Sequence, residues 1–190
     1  MPSMAKSRIN AAAWSSLLIA VAFVIVAGCG TSKVNEVKAP EYADHSVRTL
    51  VIAPNEDSFV DDSSMLADAI GAELVKRGYA VVGTREATVF LAKYNVIPAD
   101  MLTPRGLAAL AKEKVDAVLA VSSAPSKLGG SGMRHVDVTV TSTSTLQKIG
   151  EIDWTNSWGG IPGSPADWMM HKDLPAAAKE IAAALAKLLG

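Results

Sequence analysis

The chain has 190 residues, of which 49% are hydrophobic and 19% charged, with 18 basic and 19 acidic side chains. This length and apolar content suffice for one folded domain with a hydrophobic core. The nearly balanced charge, with no basic cluster, argues against nucleic-acid binding and against electrostatic attachment to anionic lipid.

The amino-terminal segment has the pattern of a bacterial secretory signal. Lys6 and Arg8 precede an uncharged run over residues 9–28, within which residues 17–26 are almost wholly apolar. A basic start, an apolar middle and small residues at the end are typical of a signal peptide, here residues 1–28. A transmembrane anchor is the alternative, but the strongly apolar part is only about half of the ~20 residues that span a bilayer.

The end of this run resembles the lipobox of bacterial lipoproteins. Val26-Ala27-Gly28-Cys29 places small residues before the only cysteine of the chain. The resemblance implies cleavage between Gly28 and Cys29, with diacylglycerol and a further fatty acid such as palmitate attached to Cys29. Gly30, where retained enterobacterial lipoproteins carry Asp, implies the outer membrane, with the mature chain facing the periplasm.

Residues 30–46 are polar and lack periodicity, so residues 29–46 are predicted to be a lipidated amino terminus followed by a flexible tether. Extended at ~3.3 Å per residue, such a segment reaches roughly 55 Å. The folded domain is predicted over residues 47–190.

The next elements predict parallel strand–helix–strand units. Residues 48–53 form an apolar run, Leu66, Ile70 and Leu74 recur at helical spacing with Val75 beside them, and residues 79–82 predict a second strand. Residues 84–94 favour a short helix, and Thr103 with Pro104 predicts a helix start. Residues 115–121 predict a buried central strand.

An antiparallel hairpin and a final helix complete the prediction. Over residues 134–158 the apolar positions alternate, so that one side of each strand is covered and the other is polar, with a turn near residues 144–147. Asp173 and Pro175 predict the start of the last helix. The sequence therefore predicts a single α/β domain whose mixed sheet combines parallel units with an antiparallel hairpin and a C-terminal helix.

This order of elements resembles a group of bacterial envelope proteins. The segments that carry the resemblance are residues 50–54, 73–82, 115–119 and 150–154. The group contains the amino-terminal domain of TolB, the curli-secretion lipoprotein and the lipoprotein activator of penicillin-binding proteins. The resemblance implies a periplasmic binding or assembly role. The long membrane-spanning hairpins of the curli-secretion proteins have no counterpart here, so a pore is not expected.

No catalytic, metal or cofactor site is predicted. Ser131, His135 and Asp137 are the residue types of a hydrolytic triad, but neighbours two apart on a strand do not stack as nucleophile, base and orienting group. The G-x-S-x-G nucleophile motif is absent from the sequence. The histidines, His45, His135 and His171, lack the paired spacing of a zinc site.

Three of the four tryptophans fall within fifteen positions, at 154, 158 and 168. Trp154 is expected in the core. Trp158, Trp168 and Met169 lie at or beyond the end of the hairpin, where aromatic anchors favour interfaces, and they are the predicted partner-binding residues.

The sequence thus predicts a non-enzymatic outer-membrane lipoprotein that acts as an adaptor or activator for a periplasmic protein partner in cell-envelope assembly. The alternative is a structural subunit of a secretion or transport assembly, forming a homo-oligomer through its sheet edge or tryptophan segment without forming a pore itself.

Overall fold

The computed structural model describes residues 32–40, 46–53, 61–125, 133–156 and 172–190. The strands are β1 (Lys33–Lys38), β2 (Thr49–Ile52), β3 (Ala80–Val82), β4 (Ala117–Pro125), β5 (Met133–Ser142) and β6 (Lys148–Thr155). The helices are α1 (Asp61–Lys76), α2 (Thr84–Ala92), α3 (Pro104–Lys112) and α4 (Leu174–Leu189), with a short 3₁₀ turn at Pro98–Asp100.

The six strands form one mixed sheet in the order β1-β6-β5-β4-β2-β3. Strand β2 lies parallel to both β3 and β4, whereas β4, β5, β6 and β1 pair antiparallel in succession. This architecture confirms the predicted α/β class with its mixed sheet, hairpin and C-terminal helix.

Helices α1 and α4 cover one face of the sheet along its whole width. The inward side chains of β5 and β6 belong to this core, including the fully buried Val138, Ile152 and Trp154. Ile70 of α1 and Leu185 of α4 are equally buried. The predicted alternation of the hairpin is thereby confirmed, as is the core position of Trp154.

Helices α2 and α3 cover only part of the opposite face. Their core takes in Val51 of β2, Val82 of β3 and Val118 of β4, but it includes no residue of β5 or β6. The second face of the hairpin is therefore left without a helical layer in the described part of the chain.

Local sequence signals account for the helix ends. Thr103 accepts a hydrogen bond from the Gly106 amide at the start of α3, and Asp173 accepts one from Ala176 at the start of α4. After α1, Gly78 adopts a φ of 90°, a conformation that glycine allows at a helix end. Val75, predicted on the buried stripe of α1, is instead 55% exposed.

The structure corrects the predicted tether. Lys33–Lys38, within the segment assigned to a tether over residues 29–46, forms edge strand β1, paired with β6 from Thr155 to Gly150. Val34 packs against the main core, and the Ala39 amide continues the pairing by donating to Ile149. Pairing with β6 satisfies the backbone N–H and C=O groups of this polar segment. The ordered domain therefore begins well before residue 47.

None of the helices in the described ranges combines the length and the apolarity that crossing a bilayer requires.

Candidate functional site

Most of the residues predicted for function lie outside the described residues. These are Gly28 and Cys29 of the cleavage and lipidation site, the partner-binding residues Trp158, Trp168 and Met169, and Ser131 of the rejected triad. His45 and His171 also lie outside the described ranges.

The uncovered face of the hairpin brings polar side chains from β5 and β6 together. In the register of this pair, His135 lies opposite Thr155 and Asp137 lies opposite Asp153. Side chains on alternate positions of paired strands project to the same face, so all four share one patch. We call these four residues the hairpin patch.

Histidine is at the centre of the hairpin patch. His135 Nε2 lies 3.1 Å from Asp137 Oδ2, and His135 Nδ1 lies 3.4 Å from Asp153 Oδ1. The Thr155 hydroxyl lies 3.3 Å from His135 Nδ1 and donates to Asp153 Oδ1 at 3.2 Å. The three ionisable side chains are partly exposed to solvent and partly buried against the sheet. Their exposed fractions are 39% for His135, 41% for Asp137 and 38% for Asp153.

The carboxylates of Asp137 and Asp153 lie on the same face at opposite positions of β5 and β6. Among the side chains that the structure describes, no lysine or arginine forms an ion pair with Asp137 or Asp153. Like charges directly opposite on paired strands destabilise a sheet. The electrostatic potential of the patch therefore favours positive charge.

A cavity of about 380 Å³ adjoins the hairpin patch through Asp137. Its floor includes Ala120 and Ser122 of β4 with Thr139 of β5, and the layer beside it contributes Met101 and Leu102. Ala53, directly after the end of β2, also lines the cavity. Open α/β sheets commonly bind ligands at the carboxyl ends of parallel strands where the connections diverge to opposite faces.

The hairpin patch is the part of the site that linear reading of the sequence misses. Spacing along the chain leaves His135 isolated from other histidines, whereas the ligand atoms of His135, Asp137 and Asp153 all lie within 4.8 Å of one another. The available signal is the hairpin itself. A turn near residue 145 places position 137 opposite 153 and position 135 opposite 155.

A second polar cluster ties the amino-terminal end of the chain to α4. Glu180 accepts hydrogen bonds from Ser32 Oγ at 2.5 Å and from Trp154 Nε1 at 2.9 Å, and it forms an ion pair with Lys172. Lys172 also donates to Ser32 Oγ at 2.8 Å. We call these four residues the Glu180 clamp.

The clamp stabilises the ionised form of its carboxyl group. Burial alone raises the pKa of Glu180, because the charged form loses hydration. The hydrogen bonds from Lys172, Ser32 and Trp154 outweigh burial, so the pKa of Glu180 lies below its ordinary value of 4.5.

Solved structures of PelC are among the known structures similar to this chain. No family model matches the chain, and no curated protein matches it. Two crystal forms of the PelC dodecamer from Paraburkholderia phytofirmans, one of them a variant, each match with 17% identity and a TM-score of 0.49. Each match covers 84% of this chain and 99% of the PelC chain. Similarity at this level carries no argument about function or assembly.

Proposed function

We propose that the chain is an outer-membrane lipoprotein whose domain acts in the periplasm as a non-enzymatic binding protein for a component of the cell envelope. The observation that carries the proposal is the sequence Val26-Ala27-Gly28-Cys29 at the end of an apolar run that follows a basic start. Acyl chains on Cys29 would anchor the protein firmly, since each buried CH₂ contributes about 0.8 kcal/mol.

The position of the Glu180 clamp is consistent with this anchor. Ser32, its first residue, comes three positions after Cys29, and β1 begins at the next residue. The proposed lipid attachment point is therefore separated from the folded domain by only Gly30 and Thr31.

The described residues on either side of the proposed partner-binding segment lie at the same end of the domain as Ser32. Thr155, shortly before the segment with Trp158 and Trp168, pairs with Lys33 at the start of β1. Lys172, which follows that segment, belongs to the Glu180 clamp. A binding segment held there would meet partners that lie at or near the membrane.

Replacing Cys29 tests the anchor. We expect Cys29→Ala to abolish labelling with a radioactive or clickable fatty acid and to release the protein from the membrane fraction. Gly30→Asp is the matched control, because it leaves the thiol in place and should keep acylation while moving the protein towards the inner membrane. Membrane retention and labelling unchanged in Cys29→Ala would refute the lipid anchor.

Photocrosslinking tests the binding role. A photoreactive amino acid at position 158 or 168 should capture one defined envelope protein in intact cells, and the same group at Val89, 56% exposed on α2, should not. Alanine at Trp158 and Trp168 should weaken that capture while leaving the melting temperature of the domain within a few degrees of wild type. A large loss of stability would instead assign the two tryptophans to the core.

Edge strand β1 favours a second candidate, a structural subunit that assembles with copies of itself. The outer edge of β1 ends the sheet, and Val37 on this strand is 64% exposed. Unpaired backbone groups on an edge strand are a template for pairing with another chain. Sedimentation of the detergent-solubilised protein separates the candidates, since defined multimers that Glu36→Pro disrupts would support the subunit and a monomer would support the adaptor. The Glu36 amide is on the outer edge of β1, because the alternate amides, as at Ala39, donate to β6.

A further inference from the structure

We infer that His135, Asp137 and Asp153 form a binding site for a divalent transition-metal ion of the Zn²⁺ class. One imidazole nitrogen and two carboxylate oxygens converge within 4.8 Å on a single face of the β5–β6 hairpin. Ligand atoms around one ion lie a few ångströms apart, so small rotations of these three accessible side chains bring them into coordination.

The charge of the patch favours a cation. Asp137 and Asp153 stand directly opposite each other in the register of β5 and β6. A divalent ion neutralises both carboxylates at once and removes the cross-strand repulsion that they otherwise exert. Neutralisation of these two like charges therefore makes the free energy of binding more favourable.

The ligand types select among cations. Ca²⁺ prefers six to eight oxygen ligands, and Mg²⁺ is usually held by carboxylates and water, whereas an imidazole nitrogen suits Zn²⁺ and related transition metals. Zn²⁺ accepts both histidine nitrogen and carboxylate oxygen as ligands, and three protein ligands leave a fourth tetrahedral position open. That position would be filled by water or by a molecule in the cavity that Asp137 also lines.

Thr155 completes the arrangement as an outer-sphere residue. When His135 Nε2 binds the ion, Nδ1 carries the proton, and the Thr155 hydroxyl oxygen at 3.3 Å is positioned to accept it. The same hydroxyl donates to Asp153. Partners of this kind fix the tautomer of a ligating histidine and orient a ligating carboxylate.

The test is Zn²⁺ binding to the purified full chain, produced without a polyhistidine tag and kept in detergent. Isothermal titration should give about one Zn²⁺ per chain, and Co²⁺ in its place should give the visible absorption of a four-coordinate site. Saturating Zn²⁺ should raise the melting temperature by a few degrees, because the ion binds the folded state.

Substitutions identify the ligands. Asp137→Asn and His135→Gln should each weaken Zn²⁺ binding by about tenfold or more and should abolish the rise in melting temperature. Glu151→Gln is the matched control, because it removes the same charge from the same hairpin outside the patch, and its Zn²⁺ affinity should match wild type.

Two outcomes would overturn the inference. One is the absence of Zn²⁺ binding by the wild-type chain at concentrations up to about 100 μM, which corresponds to a site too weak to be specific. The other is binding that persists unchanged in Asp137→Asn, since the ion would then be held elsewhere on the chain. Circular dichroism of each variant verifies that a lost affinity does not reflect a lost fold.

Discussion

Glu180 receives hydrogen bonds from groups that lie far apart in the chain. Ser32 precedes β1, Trp154 belongs to β6 and Lys172 precedes α4, and each bonds to this one carboxylate. A charged acceptor with several donors gives stronger hydrogen bonds than neutral groups do. Without that charge, Ser32, Trp154 and Lys172 would donate to a neutral acceptor, which forms weaker hydrogen bonds.

Glu180→Gln should destabilise the domain in a pH-dependent manner. At pH 7 we expect a loss of about 1–3 kcal/mol in the free energy of unfolding. Because the pKa of Glu180 is lowered in the folded state, its contribution is present above pH 4.5 and is lost as pH falls through the lowered pKa. The difference in the free energy of unfolding between wild type and Glu180→Gln should therefore become smaller as the pH is lowered.

Urea unfolding from pH 7 to pH 3 measures this effect. Asp68→Asn, at an exposed carboxyl on α1, is the control and should follow wild type closely. A gap between wild type and Glu180→Gln that stays constant over this pH range would contradict the proposed role of the charge.

Gly106 gives a prediction about close packing. A Cβ at this position would lie 2.2 Å from the Asp100 carbonyl oxygen and 2.5 Å from that of Met101. Gly106→Ala should therefore cost about 1–3 kcal/mol or more, because backbone must move to make room. At Gly83, with φ of −68° and nothing within 4 Å of an added Cβ, alanine should change stability by less than about 0.5 kcal/mol. Thermal unfolding of the two variants compares them directly, and equal losses would argue against the close approach at Gly106.

At the scale of elements, β1 is the first strand of the ordered domain. Its pairing with β6 extends over six residue pairs, and Gly150 of β6 leaves room for both neighbours. A Cβ on Gly150 would lie 2.6 Å from the Val37 carbonyl oxygen and 2.7 Å from Leu188 of α4. The absence of that Cβ lets β1 and the last helix approach β6 together.

Substitution of two valines on β1 tests whether this segment is an ordered strand or a tether. Val34→Asp should lower the free energy of unfolding by about 1–3 kcal/mol, because Val34 packs, partly buried, against the main core and a carboxylate there loses hydration. Val37→Asp should change it by less than about 0.5 kcal/mol, since Val37 is 64% exposed. Denaturant unfolding measures both variants, and identical stabilities would mean that this segment does not pack in solution.

Hydrophobic periodicity in the sequence predicts the strands and helices that have one buried face. Val136, Val138 and Val140 alternate with polar residues, and the structure buries all three. Strand β1 escapes prediction because only Val34 and Lys38 of its six residues are even partly buried, so no alternation is visible. Its place in the sheet depends on backbone pairing with β6, to which side-chain patterns contribute little.

The hairpin patch is predictable only in part. The sequence places His135, Asp137, Asp153 and Thr155 on the polar side of their strands, as found. Convergence of the three metal-ligand types depends on the register of β5 against β6. The cavity beside them depends on the layer of Met101 and Leu102, whose placement is a tertiary property.

At the scale of the whole molecule, the sheet has an end that is connected to the proposed anchor and an end that is remote from it. Lys33 and Thr155 mark the first, together with Ser32 of the Glu180 clamp. The turn between β5 and β6, which contains Leu146, marks the second. If Cys29 is acylated, the first end must lie next to the bilayer.

Fluorescence quenching from lipid headgroups tests this orientation. A fluorophore on cysteine introduced at Lys33 should be quenched several times more strongly by spin-labelled headgroups than one at Leu146, because Lys33 is at the end next to the bilayer. Labelling is specific, because acylation of Cys29 leaves the introduced thiol as the only reactive one. Equal quenching at the two positions would contradict a fixed orientation. The variant Glu180→Gln provides the control, since loosening the clamp should reduce the difference.

If Cys29 is acylated, the Glu180 clamp also limits the space that the domain can search around its lipid anchor. A free segment of residues 29–46 would let the domain explore a half-sphere with a radius of roughly 55 Å, whereas the residues between Cys29 and Ser32 allow about 10 Å. Search volume scales with the cube of the radius, so the effective concentration of the domain beside a partner in the same membrane rises by a factor on the order of a hundred. A lipoprotein held in this way would be suited to partners that share its membrane and would be of little use to partners deep in the periplasm.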